Sequence, residues 1–328
     1  CNKIRIYIVR IPQFNAGMFA NGMMLIHSSA LLMLENEAQL ASLLGHEFGH
    51  FFHRHGIKGY QQQEAVKNLA AVFNVVAMLG SAYIAMNPYN YYNFDILNAL
   101  EIGRLGVMMA QLTVYKYSRD METQADMYGL NVLRKNGYHL DEAPKIWEKL
   151  IKAGKKSDKN VDSFSFTRTH PTPSTRITNL KEEIKNYNSN QTGFIGTTEY
   201  SIATSKNRIE WVKDEIFTGE FEKSKYIIKN IALNKKLPAE KDYFLGEYYK
   251  TKFIIEKNKK KKQEYFEKAV RHLRIATELD ENYPLPFLSL GSLLVDNNES
   301  EAKQYFEKFV NLVPDEPYAK LIKLEYLQ

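Results

Sequence analysis

Asn36-Glu37-Ala38-Gln39-Leu40-Ala41-Ser42-Leu43-Leu44-Gly45-His46-Glu47-Phe48-Gly49-His50-Phe51-Phe52-His53-Arg54-His55-Gly56 is the stretch on which the reading of this chain turns. Residues i and i+4 share one face of a helix, so His46 and His50 can aim both imidazoles at one metal ion. Glu47 then sits beside that ion without binding it, placed to take a proton from a water activated there. With 8 histidines in 328 residues, an H-E-x-x-H arises by chance in about 1% of such chains. The flanks agree with a helix. Asn36 suits the N-cap and Gln39 completes a capping box. Leu40, Leu43, Leu44, Phe48 and Phe51 give an apolar stripe of helical period, and Gly56 offers a stop.

A catalytic zinc site takes three protein ligands and keeps one position open. The spacing predicts a second helix from Tyr117 to Lys135, stopped at Gly137, with Glu122 and Asp126 on one face. Glu122 is the expected third ligand. Asp126 is expected to accept the remaining ring N–H of a ligating histidine, which fixes its tautomer.

These segments and three others carry a resemblance. Asn36 to Ala41 leading into His46-Glu47-Phe48-Gly49-His50 and Arg54-His55 is similar to the gluzincin metallopeptidases of the CAAX prenyl protease, HtpX and BepA type. Phe14-Asn15-Ala16 with Asn21 to Ile26 resembles the hairpin that precedes the zinc helix in that family. Ser118-Arg119 with Glu122, Ala125-Asp126 and Gly129 resembles its third-ligand helix, and Thr169-His170-Pro171 with Arg176-Ile177 its closing histidine-proline loop. The match covers roughly residues 4–187 and departs at Gly17, where a larger residue is usual.

The resemblance implies a peptidase with one Zn²⁺ per chain, held by His46, His50 and Glu122, with Glu47 as general base. His55 is expected to support the helix end, while His53 is peripheral. Asn15, Ala16, Met18 and Phe19 are expected to pair with an extended substrate as an added strand. His170 has two functional readings. It donates a hydrogen bond to the oxyanion with Arg176 orienting its loop, or its neutral imidazole takes the open metal position and shuts the site. The donor role is the expectation, with Pro173 opening the following helix.

The remainder sets the architecture. At 44% hydrophobic and 25% charged residues over 328 positions, two domains are expected. Leu245-Gly246 and Leu290-Gly291 open matching segments, and Ala269, Leu273, Ala276 and Leu279 recur as Ala302, Phe306, Phe309 and Leu312 at a spacing of 33. Ser224, Ile228 and Ile231 make a weaker copy, and Pro314 falls near the repeat end. The pattern resembles tetratricopeptide repeats, which stack into a groove for protein partners. The expected domains are therefore 1–187, a zinc metallopeptidase domain, and 207–328, a repeat domain, with the polar segment 188–206 as linker. The fold class is mainly α with a small N-terminal β-hairpin or sheet, followed by an α-helical repeat array.

Two stretches bear on partners. Leu69 to Met86 is uncharged for 18 residues but diluted by Asn74, Gly80 and Ser81, so it reads as a buried helix. With the aromatic residues up to Asn93, it also suits a membrane-surface contact over 69–93. The run Lys257-Asn258-Lys259-Lys260-Lys261-Lys262 underlies part of the formal charge of +6. Without stacking aromatics or a recognition motif it reads as a solvated loop, with no nucleic-acid partner expected.

Cys1, the single cysteine, excludes an intrachain disulfide. It fits the lipid-modified first residue of a bacterial lipoprotein less well than a chain cut from a longer one, because a strand-like segment follows at once. The expected function is a zinc-dependent endopeptidase with repeats recruiting protein substrates, in a bacterial cell envelope, periplasmic or membrane-associated, though a cytoplasmic site also fits. A proteolytically silent chaperone or scaffold acting through the repeats is the competing reading. The intact Glu47 argues against it.

Overall fold

The computed structural model describes residues 3–62, 117–157, 170, 173–187, 192–231 and 237–327. The segment 69–93 and Cys1 lie outside the described residues, as do Thr169 and Pro171. The chain divides into two compact units, one holding most residues up to Ile195 and the other running from Gly196 to the C-terminal end with Leu32–Glu37 added. Among the described residues no helix is long and apolar enough to cross a membrane.

The first unit begins with a three-stranded sheet of order β1-β3-β2, formed by β1 (Arg5–Val9), β2 (Ala16–Met18) and β3 (Met23–His27). β2 and β3 are the expected hairpin, antiparallel with Gly17 opposite Leu25. Its turn uses Asn21-Gly22, the strongest short-range hairpin signal. Gly22 takes φ +81°, and the Asn21 side chain accepts from the Met23 amide at 3.0 Å. β1 runs parallel to β3, with Ile6 opposite Met24. All five residues of β3 are buried, as a central strand requires.

Helices follow: α1 (Ser28–Met33), α2 (Glu37–Phe52), α3 (His55–Gln62), α4 (Arg119–Lys135), α5 (Glu142–Gly154) and α6 (Pro173–Asn186). The face that α2 buries is not the expected leucine stripe. Leu40, Leu44, Phe48 and Phe51 are half-buried, whereas Ala38, Gln39, Ser42, Leu43, Gly45, His46, Glu47, Gly49 and His50 are buried. The reason is the close crossing of α4. A Cβ on Gly45 would lie 2.8 Å from the Gly129 Cα, and one on Gly49 2.8 Å from the Ala125 Cα. Backbone meets backbone there, so Glu122 is delivered to the polar face of α2. α4 starts at its Ser118 N-cap, which accepts from the Met121 amide at 3.2 Å. It stops before Gly137 at φ +72°, as the sequence predicts.

The second unit is helical: α7 (Thr197–Phe217), α8 (Phe221–Lys229), α9 (Glu240–Ile255), α10 (Lys259–Leu279), α11 (Pro284–Leu294), α12 (Glu299–Leu312) and α13 (Pro317–Tyr326). α9 packs on α10 and α11 on α12. In both pairs a glycine faces a large apolar side chain, Gly246 against Leu273 and Gly291 against Phe306. Ala269, Leu273, Ala276, Ala302, Phe306 and Phe309 are buried, and so are Ser224, Ile228 and Ile231. Leu279, the last position of the recurring stripe, is instead exposed at the end of α10.

Two expectations are corrected here. Residues 197–206, assigned to a linker, form the first half of α7, because Tyr200, Ser201, Arg208, Trp211, Val212 and Glu215 line one buried face. Arg208 occupies that face by pairing with Glu240 and donating to Thr204 Oγ1 at 2.7 Å. Lys259 to Lys262 form the first turn of α10 rather than a loop. Asn258 caps that turn by accepting from the Lys261 amide at 3.1 Å, and lysine is a good helix former.

Candidate active site

Three helices of the first unit converge on the polar face of α2. It presents His46, Glu47 and His50; α4 brings Glu122, Gln124 and Asp126; α6 brings Arg176; and α5 brings Trp147. His170 precedes α6. His46, Glu47, His50, Glu122, Asp126, His170 and Arg176 are all buried.

The donor atoms of His46, His50, Glu122 and His170 lie within 4.8 Å of one another. His50 Nε2 is 3.0 Å from His46 Nε2 and 3.4 Å from Glu122 Oε1. His170 Nδ1 is 2.8 Å from Glu122 Oε1 and 3.3 Å from His46 Nε2. Burial lowers His46 to about 4, and Arg176 adds to the effect. Burial and the neighbouring imidazoles likewise hold His50 well below its ordinary value. Both rings are therefore neutral, with a lone pair to offer. Burial alone would raise Glu122, yet His170 and Arg176 outweigh it and keep the carboxylate ionised. Neutral imidazoles and one carboxylate, converging in a buried site, are the donor set that suits zinc. The residues present fit the metal.

Around the cluster, Arg176 grips both oxygens of Asp126, Nε to Oδ2 at 2.8 Å and Nη2 to Oδ1 at 2.6 Å. Asp126 Oδ1 also lies 3.0 Å from His46 Nδ1. Arg176 Nη2 stands 3.0 Å from that same ring nitrogen, but its shorter contact belongs to the carboxylate. His46 Nδ1–H thus donates to Asp126, and Nε2 keeps its lone pair. Arg176, expected to orient the loop of His170, pairs with Asp126 and also lies 3.1 Å from Glu122 Oε2. Burial favours the neutral form of Asp126, yet the Arg176 charge holds its carboxyl far below the usual range.

Glu47 is buried one residue on from His46, and among the described residues its Oε1 has no hydrogen-bond partner. Burial, reinforced by Glu122, pushes its carboxyl well above the ordinary value against the pull of Arg176. Asn15 is buried and its carbonyl accepts from the His27 amide at 3.0 Å. Ala16 and Met18 lie in β2, the edge strand beyond β3. Phe19 packs on the Val9, Met23 and Leu25 cluster, so its side chain anchors the sheet.

Trp147, Tyr117 and Gln124 complete the surroundings and were not among the expected site residues. The Arg176 guanidinium lies 3.6 Å from the Trp147 ring centroid, and His46 meets the same ring edge-on at 5.8 Å. Tyr117 stacks on His50 at 3.9 Å between centroids. Trp147 sits among Ile146, Leu150 and Ala153 on the buried face of α5. In sequence it is indistinguishable from a core tryptophan.

A histidine pair one helical turn apart, facing a carboxylate from a second helix with a glutamate between the histidines, defines a zincin-type metallopeptidase site of the gluzincin kind. The chain belongs to peptidase family M48, which it matches over residues 3–184. It is 28% identical over 177 residues to the beta-barrel assembly-enhancing protease of Yersinia pestis, covering 53% of this chain and 33% of that protein. The Escherichia coli K12 protein of the same name is 26% identical over 175 residues, with the same coverage of 53% and 33%. The mitochondrial metalloendopeptidase OMA1 of Saccharomyces cerevisiae is 28% identical over 183 residues, 55% of this chain and 47% of that protein. The chain thus spans about a third to a half of the length of these relatives.

Proposed function

We propose that the protein is a zinc-dependent endopeptidase that hydrolyses peptide bonds in protein or peptide substrates. The observation that carries this reading is the buried cluster of His46, His50, Glu122 and His170 with Glu47 beside it. His46, His50 and Glu122 would hold one Zn²⁺. When bound, zinc supplies Lewis-acid polarisation of the scissile carbonyl and lowers the pKa of water toward 7.

Glu47 accepts the proton of the attacking water and delivers it to the leaving amine as the C–N bond breaks. Its raised proton affinity suits a base that must hold that proton between the two steps. Asp126, held by Arg176, keeps the His46 Nδ1–H in place. β2 offers an edge to which an extended substrate adds as a strand through backbone hydrogen bonds, with Asn15, Ala16, Met18 and Phe19 shaping that edge.

The position of His170 favours the second of its two readings. Its Nδ1 stands among the donors at 2.8 Å from Glu122, where it would join the residues holding the metal and shut the site. The paired helices of the second unit, with their recurring glycine contacts, support a tetratricopeptide-like groove that recruits protein substrates or partners. Relatives named for β-barrel assembly in bacteria support a place in a bacterial cell envelope.

The test joins metal analysis to cleavage of casein by the wild type and Glu47→Gln. The expected outcome is about one zinc per chain in both proteins and a collapse of hydrolysis in the variant. Undiminished proteolysis by a clean Glu47→Gln preparation sinks the assignment.

A further inference from the structure

His50 faces the donor cluster with Nε2 and turns Nδ1 the other way, to 3.0 Å from His55 Nδ1. His55 in turn sets its Nε2 3.1 Å from Gln124 Oε1. We propose that Gln124 and His55 are positioning residues, a two-step hydrogen-bond relay that fixes His50 in the tautomer whose Nε2 lone pair faces the metal site. The inference rests on the reading of His50 as a ligand and deepens it, because it says what makes His50 competent before any metal arrives.

The direction of the relay follows from donor counting. A ligating imidazole is neutral, with one N–H and one lone pair, and the 3.0 Å contact between the two Nδ1 atoms holds a single hydrogen. An amide oxygen only accepts, so His55 Nε2–H donates to Gln124. His55 Nδ1 is then the lone pair and accepts from His50 Nδ1–H. One nitrogen of His50 remains, Nε2, without a proton. Reversing the amide of Gln124 reverses every step and leaves His50 Nε2–H pointing at His46 Nε2, 3.0 Å away, where no ion could bind it.

The backbone is built for this contact. α2 ends at Phe52 and α3 starts at His55, and Arg54 between them takes φ +56°. A side-chain-bearing residue adopts that left-handed conformation only where its surroundings impose it. The kink turns the chain between the two helices, and the His55 ring lies back against His50, their centroids 5.0 Å apart. Stacking holds both rings in place, Tyr117 on His50 at 3.9 Å and His53 on His55 at 5.3 Å. Gln124 follows Glu122 by two residues on α4. The same helix therefore supplies one ligand and sets the proton position of another.

The experiment uses Gln124, whose side chain is exposed and whose substitution leaves the core intact. Gln124→Leu removes the acceptor and Gln124→Glu restores an acceptor-only group. Long-range ¹H–¹⁵N spectra of the metal-free proteins report the tautomer of each imidazole, and competition with a chelator reports zinc affinity. The wild type and Gln124→Glu are expected to show His50 protonated at Nδ1. Gln124→Leu is expected to show both tautomers of His50 and to bind zinc about 10-fold more weakly, the low end for a partner beyond the ligands. A wild type protonated at Nε2 overturns the relay. So does a Gln124→Leu protein with wild-type tautomers and wild-type zinc affinity. Failure of the wild type to bind zinc at all overturns the ligand reading itself, and with it the purpose of the relay.

Discussion

Asp126 Oδ1 lies 3.0 Å from His46 Nδ1 while Arg176 holds both Asp126 oxygens, at 2.6 and 2.8 Å. Asp126 therefore reaches the donor cluster only through His46, whereas Glu122 is part of that cluster. Glu122→Ala is expected to lose zinc outright. Asp126→Asn, which keeps the shape but weakens the acceptor, should bind zinc about 10- to 100-fold more weakly. Metal analysis distinguishes the two, and a zinc-replete Glu122→Ala beside a zinc-free Asp126→Asn would reverse the roles.

Removing Arg176 tests the same triad from below. Arg176→Ala strips a buried carboxylate of its partner and takes away the cation seated 3.6 Å from the Trp147 ring centroid. Breaking a buried pair in this way costs about 3–5 kcal/mol. Urea unfolding of the metal-free protein should show a loss of that order, and a loss below about 1 kcal/mol would mean that Asp126 finds another partner.

Helical geometry puts residues i and i+4 on one face, so the pairs His46/His50 and Glu122/Asp126 could be read from spacing, and the structure brings the two pairs together. The buried face of α2 was not legible in the same way. A hydrophobic pattern predicted the leucine side, whereas the helix buries small and polar residues against α4. Long-range partners leave no local trace. Gln124 meets His55 across 69 positions, and Trp147 reads as ordinary core until Arg176 is seen over it. The linker expectation failed over 197–206 because the polar residues Ser201 and Thr204 there accept from Arg208 on the inside of α7.

The crossing of α2 and α4 offers a prediction about packing. A Cβ on Gly129 would meet the Ser42 carbonyl oxygen at 2.9 Å and the His46 amide nitrogen at 3.1 Å. Both are backbone atoms that cannot rotate aside, so Gly129→Ala should destabilise the protein by about 1–3 kcal/mol and weaken zinc binding by displacing Glu122. Gly56→Ala is the control, since nothing lies within 4 Å of its Cβ position. In the helix α3 it should be neutral or stabilising by up to about 1 kcal/mol. Thermal unfolding of the pair checks both, and equal behaviour of the two variants would contradict the crossing.

His27 gives a pH signature away from the metal cluster. It is buried at the end of β3 with Nδ1–H donating to the Gln13 carbonyl at 2.9 Å. Burial lowers it from 6.5 to about 4 against the opposing effect of that hydrogen bond. The folded protein thus binds this proton less readily than the unfolded chain does. Its neutral ring contributes full stability above pH 6.5, and that contribution drains away as pH falls toward 4. The gap corresponds to about 3 kcal/mol. His27→Gln should flatten the stability profile of the metal-free protein between those values relative to the wild type. Parallel profiles would show that His27 does not titrate in that window.

The position of His170 yields the last prediction. With Nδ1 at 2.8 Å from Glu122 Oε1 and 3.3 Å from His46 Nε2, its imidazole stands where an incoming water or carbonyl would have to bind. If its imidazole joined His46, His50 and Glu122 in holding the metal, no position would be left for water, as in structural zinc sites. His170→Ala should therefore open a coordination position, lower zinc affinity and raise the turnover of a short unstructured peptide. The alternative, a hydrogen bond from His170 to the oxyanion, makes the opposite forecast. It requires kcat to fall about 10²–10³-fold with KM little changed, the cost of removing one such donor. Steady-state kinetics on a single peptide separate the two because the sign of the change in kcat differs. A variant unchanged in both constants and in zinc affinity would leave His170 as a residue that only holds the start of α6.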